Sequence, residues 1–299
     1  MSLQILFDGI LLGAVIGLGA IGVTLTYSIL RFANFAHGDF ISWGAYLSYS
    51  LVGLIGSAAS PIGSLSFGWP LIGALCASVV LTGALALALE KLVFARLRSS
   101  VNRMVVVMAS FGVSLALRSL IELAFGTQPR YFTQDIQIAF PVFAGARVTP
   151  DQLAIVATTL LLVLAVHLLL TRTHIGLSMR ATGENTPLAR VAGIDTQAAI
   201  RAACLLGGAL AAVSGTLSGM LTQVRPYMGF DLLLPLFSAA ILGGIGSVPG
   251  AVIGGLIIGI SESLSVALVG AQYRAAIAFL VLIAVLLIRP NGLFGARLS

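Results

Sequence analysis

From Phe40 to Leu89 the chain carries no charged residue. Water cannot solvate so long an apolar stretch as a surface, whereas an apolar helix of about 20 residues spans a bilayer. This run is long enough for two crossings. Ser60-Pro61-Ile62-Gly63 and Gly68-Trp69-Pro70 supply the break between them. The two helices are expected near 40–57 and 70–89. The same pattern recurs elsewhere: Asp8 and Arg31 bracket the uncharged stretch Gly9 to Leu30, and further spans fit near 104–125, 152–171 and 202–224. The region 232–288 is apolar except for Glu262 and Arg274 and is broken between Gly243 and Gly250. It divides into segments near 232–246, 250–269 and 275–288. The expected fold is an all-α integral membrane protein, a polytopic bundle of 8–9 membrane segments. A single transmembrane domain covers 1–299, with 232–246 either spanning or re-entrant.

Composition agrees. Charged residues make up 9% of the chain and hydrophobic ones 59%, against about a quarter charged in soluble domains. The strands of a β-barrel would alternate apolar and polar residues, which these runs do not. The 34 glycines suit helices that pack closely in lipid. Gly9, Gly13 and Gly17 recur at intervals of four, as do the pairs Gly215 and Gly219, Gly250 and Gly254, and Gly255 and Gly259. Cys76 and Cys204 sit in apolar runs and read as small buried hydrophobes. No basic residue precedes Arg31, so no cleavable signal peptide is expected.

The net charge of +6 comes from basic residues scattered between apolar runs, which argues against nucleic-acid binding. Eleven of them fall on one side of the proposed topology: Arg31; Lys91, Arg96, Arg98 and Arg103; Arg172, Arg180, Arg190 and Arg201; Arg289 and Arg297. The other side holds Arg130, Arg147, Arg225 and Arg274, and Arg118 lies within a span. The positive-inside rule puts the eleven in the cytoplasm, with the N-terminus outside and the C-terminus inside. Nine segments satisfy that parity.

Catalytic chemistry is hard to find. The lone lysine, Lys91, stands in Leu89-Glu90-Lys91-Leu92, which is not a phosphate-binding loop. His37, His167 and His174 lack metal-ligand spacing, and no cofactor is expected in this chain. An enzyme would need a site assembled from distant residues. The polar segment 172–201 is more informative. Glu184, Asn185 and Thr186 are candidate helix caps and Pro187 suits a first turn, so short helices are expected there; the plainer alternative is a solvated connector.

Four stretches resemble permeases of the branched-chain amino-acid (LivH-type) family of ABC importers. They are Asn34-Phe35-Ala36-His37-Gly38-Asp39, Met179-Arg180-Ala181-Thr182-Gly183-Glu184-Asn185, Leu242-Gly243-Gly244-Ile245-Gly246-Ser247-Val248-Pro249-Gly250 and Arg289-Pro290-Asn291-Gly292-Leu293-Phe294-Gly295. The resemblance covers nearly the whole chain. It implies a heterodimeric pore with a second, LivM-like permease in a bacterial cytoplasmic membrane. Two cytoplasmic ATPases would hydrolyse ATP with Mg, and an external binding protein would deliver branched-chain or related amino acids, amides or urea. It also implies that the 172–201 loop contacts the ATPases, through Gly176, Arg180, Ala181, Gly183, Glu184, Asn185, Ala189 and Gly193. The general ATPase-contact pattern, Glu-Ala-Ala then a later Gly, is loose here.

Asn34, His37, Asp39 and Glu262 are the polar candidates for the translocation pathway, because polar groups at membrane depth need protein or water around them. The alternatives are a helix cap at Asp39 and a structural pairing at Glu262. Arg118 and Glu122 stand four apart and are expected to neutralise each other; His167 is expected to pack. A sugar or nucleoside ABC permease and an ion-coupled secondary transporter are the competing functions.

Overall fold

The computed structural model describes residues 2–55, 65–100, 102–132, 139–143, 146–289 and 292–294. The breaker at 60–63, together with Pro290, Asn291, Gly295 and Arg297, lies outside them. Twelve α-helices occur among the described residues: α1 (Ser2–Leu30), α2 (Ala36–Ile55), α3 (Trp69–Leu89), α4 (Ala95–Ser100), α5 (Arg103–Phe125), α6 (Pro150–Arg172), α7 (His174–Glu184), α8 (Thr186–Val191), α9 (Thr196–Leu221), α10 (Met228–Gly243), α11 (Val248–Leu268) and α12 (Arg274–Ile288). A π-helical turn, Glu90–Phe94, joins α3 to α4. Among the described residues an antiparallel strand pair, β1 (Phe140–Phe143) and β2 (Ala146–Val148), precedes α6.

Among the described residues, seven helical stretches are long and apolar enough to cross a membrane: Leu3–Leu30, Trp69–Arg98, Met104–Phe125, Pro150–Arg172, Thr196–Leu221, Val248–Leu268 and Ala271–Ile288. The chain is therefore a polytopic helical membrane protein. The shorter apolar helix α10 and the more polar α2 lie among them.

Two expected boundaries move. α1 begins at Ser2, not after Asp8, because Asp8 is exposed and accepts from Gln4 Nε2 at 3.1 Å one turn earlier. α2 begins at Ala36, so His37 and Asp39 lie within its first turn. A charged side chain does not stop a helix when it reaches water, as at Asp8, or a partner inside the bundle, as at Asp39.

The centre is built from α1, α2, α9, α10 and α11, while α3, α5, α6 and α12 expose most of their surface. Glycine makes the centre dense, along the stripes legible in the sequence. α1 lays Gly9, Gly13 and Gly17 against α11. A Cβ on Gly13 would sit 2.8 Å from the Cα of Leu256, so any side chain there would force the backbones apart. Gly250 and Gly254 face α10, and Gly215 faces Ile41 of α2.

The packing partners repeat. α1 packs on α11 as α9 packs on α3; α2 contacts α3, α5 and α9 as α10 contacts α11, α12 and α1. α1 and α9 run antiparallel, with Gly22 beside Gly207 and Val15 O accepting from Ser214 Oγ at 3.0 Å. α2 and α10 also run antiparallel, with Gly38 beside Leu233 and Ser42 beside Pro226. The set α9–α12 thus repeats the set α1, α2, α3 and α5 in inverted sense, and α6 to α8 connect the two.

Candidate functional site: the helix joint at 31–39 and the α7–α8 segment

The sequence singled out two groups of residues, and the fold connects them. The first lies where α1 passes into α2. Arg31 follows the last residue of α1 with φ of 59°, the one positive φ at a non-glycine among the described residues. Asn34 then organises the start of α2: its Oδ1 accepts the Ala36 N–H at 3.1 Å and its carbonyl accepts the His37 N–H at 3.2 Å. This side chain satisfies a free helix donor in the manner of a cap. The cap expected of Asp39 is therefore supplied by Asn34. Phe35 anchors the joint sideways, its N–H donating to Ser110 Oγ at 3.2 Å. Its ring stands 6.1 Å from Phe111 and 5.8 Å from Phe237.

Asp39 is wholly buried. It accepts from Ser114 Oγ and, at 3.3 Å, from Arg118 Nε. The Arg118 guanidinium is covered by Phe230, 4.4 Å to the ring centroid, and by Tyr227 at 5.0 Å. This arrangement corrects the expected pairing of Arg118 with Glu122. The spacing of four favoured a local pair, but burial rewards the partner that shares the dry interior, and that partner is Asp39. His37 is buried against Gly22, its ring edge-on to Phe40 with centroids 6.4 Å apart.

Asn34, His37 and Asp39 are thus brought together. Glu262 is not among them: it lies buried on α11, 3.7 Å from Arg274 Nε at the start of α12. His167, expected to be packed, is exposed on α6. No group of three His, Cys, Asp or Glu residues that could hold a metal occurs among the described residues.

The second group is folded, as the caps foretold. Thr173 Oγ1 accepts the Gly176 N–H at 3.1 Å and opens α7. Asn185 closes α7 and opens α8, accepting the Leu188 N–H at 3.1 Å, with Pro187 in the first turn. Gly193 turns the chain out of α8 with φ of 81°, a conformation glycine adopts without a Cβ clash. Asp195 then caps α9, accepting from Ala198 N at 3.0 Å and Gln197 N at 2.9 Å. The Ala198 bond, with help from Gln197 and Arg201, holds its carboxyl below the usual aspartate range.

Gly176 fits α7 against the end of α6, where a Cβ would strike the backbone of Leu169 and Leu170. Ala189 is buried and Ala181 half-buried, while Arg180, Glu184 and Asn185 are exposed. Around them stand the exposed apolar side chains Ile175, Leu177, Leu188 and Val191, the last 87% exposed.

Arg31 joins the two groups, and sequence reasoning had counted it only as a loop charge. Its Nη2 donates to the carbonyl of Gly183 and, at 3.2 Å, to that of Glu184, at the C-terminal end of α7. The sequence signal was weak: a charge just past an apolar run, 152 residues from its acceptor. Beside it opens a cavity of about 400 Å³ between the end of α1, α6, α7 and the α10–α11 turn, lined among others by Arg31, His167, Arg180 and Glu184.

A polytopic bundle whose two halves repeat in inverted sense is an architecture that membrane transporters use. The chain matches the family described as the permease component of the branched-chain amino acid transport system over residues 5–286, and it belongs to that family. It is 34% identical over 299 residues to the high-affinity branched-chain amino acid transport system permease protein LivH of Escherichia coli K12, covering 98% of this chain and 95% of the relative. BraD of Pseudomonas aeruginosa, a permease protein of the same description, is 32% identical over 301 residues, 98% of this chain and 95% of the relative. A probable branched-chain amino acid transport permease protein LivH of Methanocaldococcus jannaschii is 30% identical over 307 residues, 98% of this chain and 92% of the relative. No solved structure gives a significant match.

Proposed function

We propose that this permease forms half of the translocation pathway of an ATP-driven, binding-protein-dependent importer of branched-chain amino acids. The carrying observation is the α7–α8 segment. It is capped at each end, seated on α6 through Gly176, and crowned by exposed Ile175, Leu177, Leu188 and Val191. An exposed apolar patch on a polar, ordered segment marks a protein contact. In this reading two ATPase subunits dock there and supply the ATP and Mg chemistry. A second, LivM-like permease completes the pore, and an external binding protein delivers substrate. The relatives' descriptions favour branched-chain amino acids over amides or urea.

By the positive-inside rule the eleven basic residues support a cytoplasmic position for α7 and α8, with the N-terminus outside and the C-terminus inside, in what this reading takes as a bacterial inner membrane. α2 and α10 complete nine segments with the seven long helices. Asn34, His37, Asp39 and Glu262 are the polar groups from which the pathway draws. The test is the complex reconstituted in liposomes. Binding protein loaded with leucine, isoleucine or valine should stimulate its ATPase and drive uptake, and amides or urea should not. Uptake driven by an ion gradient without ATP would overturn the reading. Orientation is checked separately: a cysteine at Val191 should label only from the cytoplasm, and one at Gln128 only from outside.

A further inference from the structure

Arg31 occupies a position that sterics reserve for glycine. At the end of an α-helix the left-handed residue is usually Gly, sometimes Asn, because a Cβ there crowds the following carbonyl. An arginine in this place needs a compensating interaction. The side chain supplies it: the guanidinium caps the carbonyls of Gly183 and Glu184, two of the last carbonyls of α7, which have no partner within the helix and form the negative end of its dipole. Nearby, Gly183 of α7 also lies against the Ser28 carbonyl of α1.

On its other side Arg31 leads directly into the joint. Four residues later Phe35 is held by Ser110, Phe111 and Phe237. Asn34 caps α2, and one turn into α2 Asp39 binds Ser114 and Arg118. No other residue of this stretch reaches α7 by a side-chain hydrogen bond among the described residues.

We infer that Arg31 is the mechanical relay between α7 and the α1–α2 joint: a positioning residue that turns a displacement of α7 into a movement of Asn34, Phe35 and Asp39. The inference rests on the reading of α7 as the ATPase contact. A shift at one site changes another only through an element that both bias, and the Arg31 backbone, poised in a conformation that its own side chain maintains, is such an element. Because Arg31 is exposed, removing its side chain leaves no buried cavity.

The experiment uses the complete complex in liposomes with its ATPase subunits and binding protein. Arg31→Gly accepts the left-handed backbone but lacks the guanidinium, and Arg31→Lys keeps the charge but not the planar, pre-oriented guanidinium. A cysteine pair between Leu177 and the docked ATPase reports whether α7 is still engaged. Arg31→Gly should assemble, cross-link at Leu177 and keep basal ATP hydrolysis, yet lose about ten-fold of its stimulation by loaded binding protein. Arg31→Lys should fall between it and the parent. Unchanged stimulation and uptake in Arg31→Gly, with the cross-link present, would overturn the relay and leave α7 as the contact. Absence of the cross-link in the parent complex would overturn the contact and the relay together. If Arg31→Gly fails to assemble, Arg31→Lys decides: reduced stimulation in an assembled complex supports the relay, and full stimulation refutes it.

Discussion

The joint between α1 and α2 and the joint between α9 and α10 use the same backbone device and treat charge in opposite ways. Each leads into a helix whose second or third residue is glycine, and the two glycines meet: a Cβ on Gly38 would stand 2.6 Å from the Gly229 carbonyl oxygen. Each glycine is followed closely by an aspartate, Asp39 and Asp231. Asp39 is fully buried and bound to Arg118 and Ser114. Asp231 is half exposed and pairs with Arg225 at 3.0 Å. Inverted copies of one architecture therefore share close approach as a requirement, while the ion pair diverged. The aspartate of the first joint is tied to α5 by a desolvated ion pair, whereas that of the second pairs with Arg225 in its own preceding loop.

The largest effect should come from breaking what the joints share. Gly229→Leu drives a side chain into the Gly38 backbone, which cannot rotate away as a side chain would. The two helices must part, a cost above the ordinary overpacking range of about 1–3 kcal/mol and above every loss below, and the protein should fail to accumulate in the membrane. Normal yield and thermal stability in detergent would mean that the crossing is not tight. Next comes the contrast between the aspartates. Asp39→Ala leaves Arg118 buried and unpaired, a loss of about 3–5 kcal/mol. Much of that loss should return in the double variant Asp39→Ala, Arg118→Met, measured by thermal unfolding in one detergent. Asn34→Ala removes the cap of α2 and should cost about 1 kcal/mol, read from the same melts. The smallest change belongs to Asp231→Asn, where a half-exposed pair contributes about 0–1 kcal/mol. If Asp231→Asn were as damaging as Asp39→Ala, burial would not distinguish the two joints.

Much of this was legible in the sequence because lipid leaves few options. Apolar runs located the long helices, four-residue glycine spacing marked the α1–α11 seam, and Asn185 with Pro187 announced the start of α8. What escaped notice depends on three-dimensional neighbours. The start of α2 was hidden because His37 and Asp39 look like loop residues until Ser114 and Arg118 are brought beside them. The Asp39–Arg118 pair joins residues 79 apart in sequence, whereas local spacing pointed to Glu122. Arg31 resembled a topology signal because only the folded chain reveals its left-handed backbone and its acceptors on α7. The residues of the α7–α8 segment were found together as a stretch, whereas Glu262 was grouped with the 34–39 residues on polarity alone, and its nearest charge is Arg274.

The seam between α1 and α11 also fixes an order of events during synthesis. Gly13 emerges from the ribosome long before Gly255, and at about 5–20 residues per second the first helix waits some tens of seconds for its principal partner. Through that interval its smooth glycine face is available to lipid, to chaperones of the membrane or to the wrong helix. A chain that stops after α9 has no α11 to fill that face, so the closing of the seam reports that synthesis has passed Gly255.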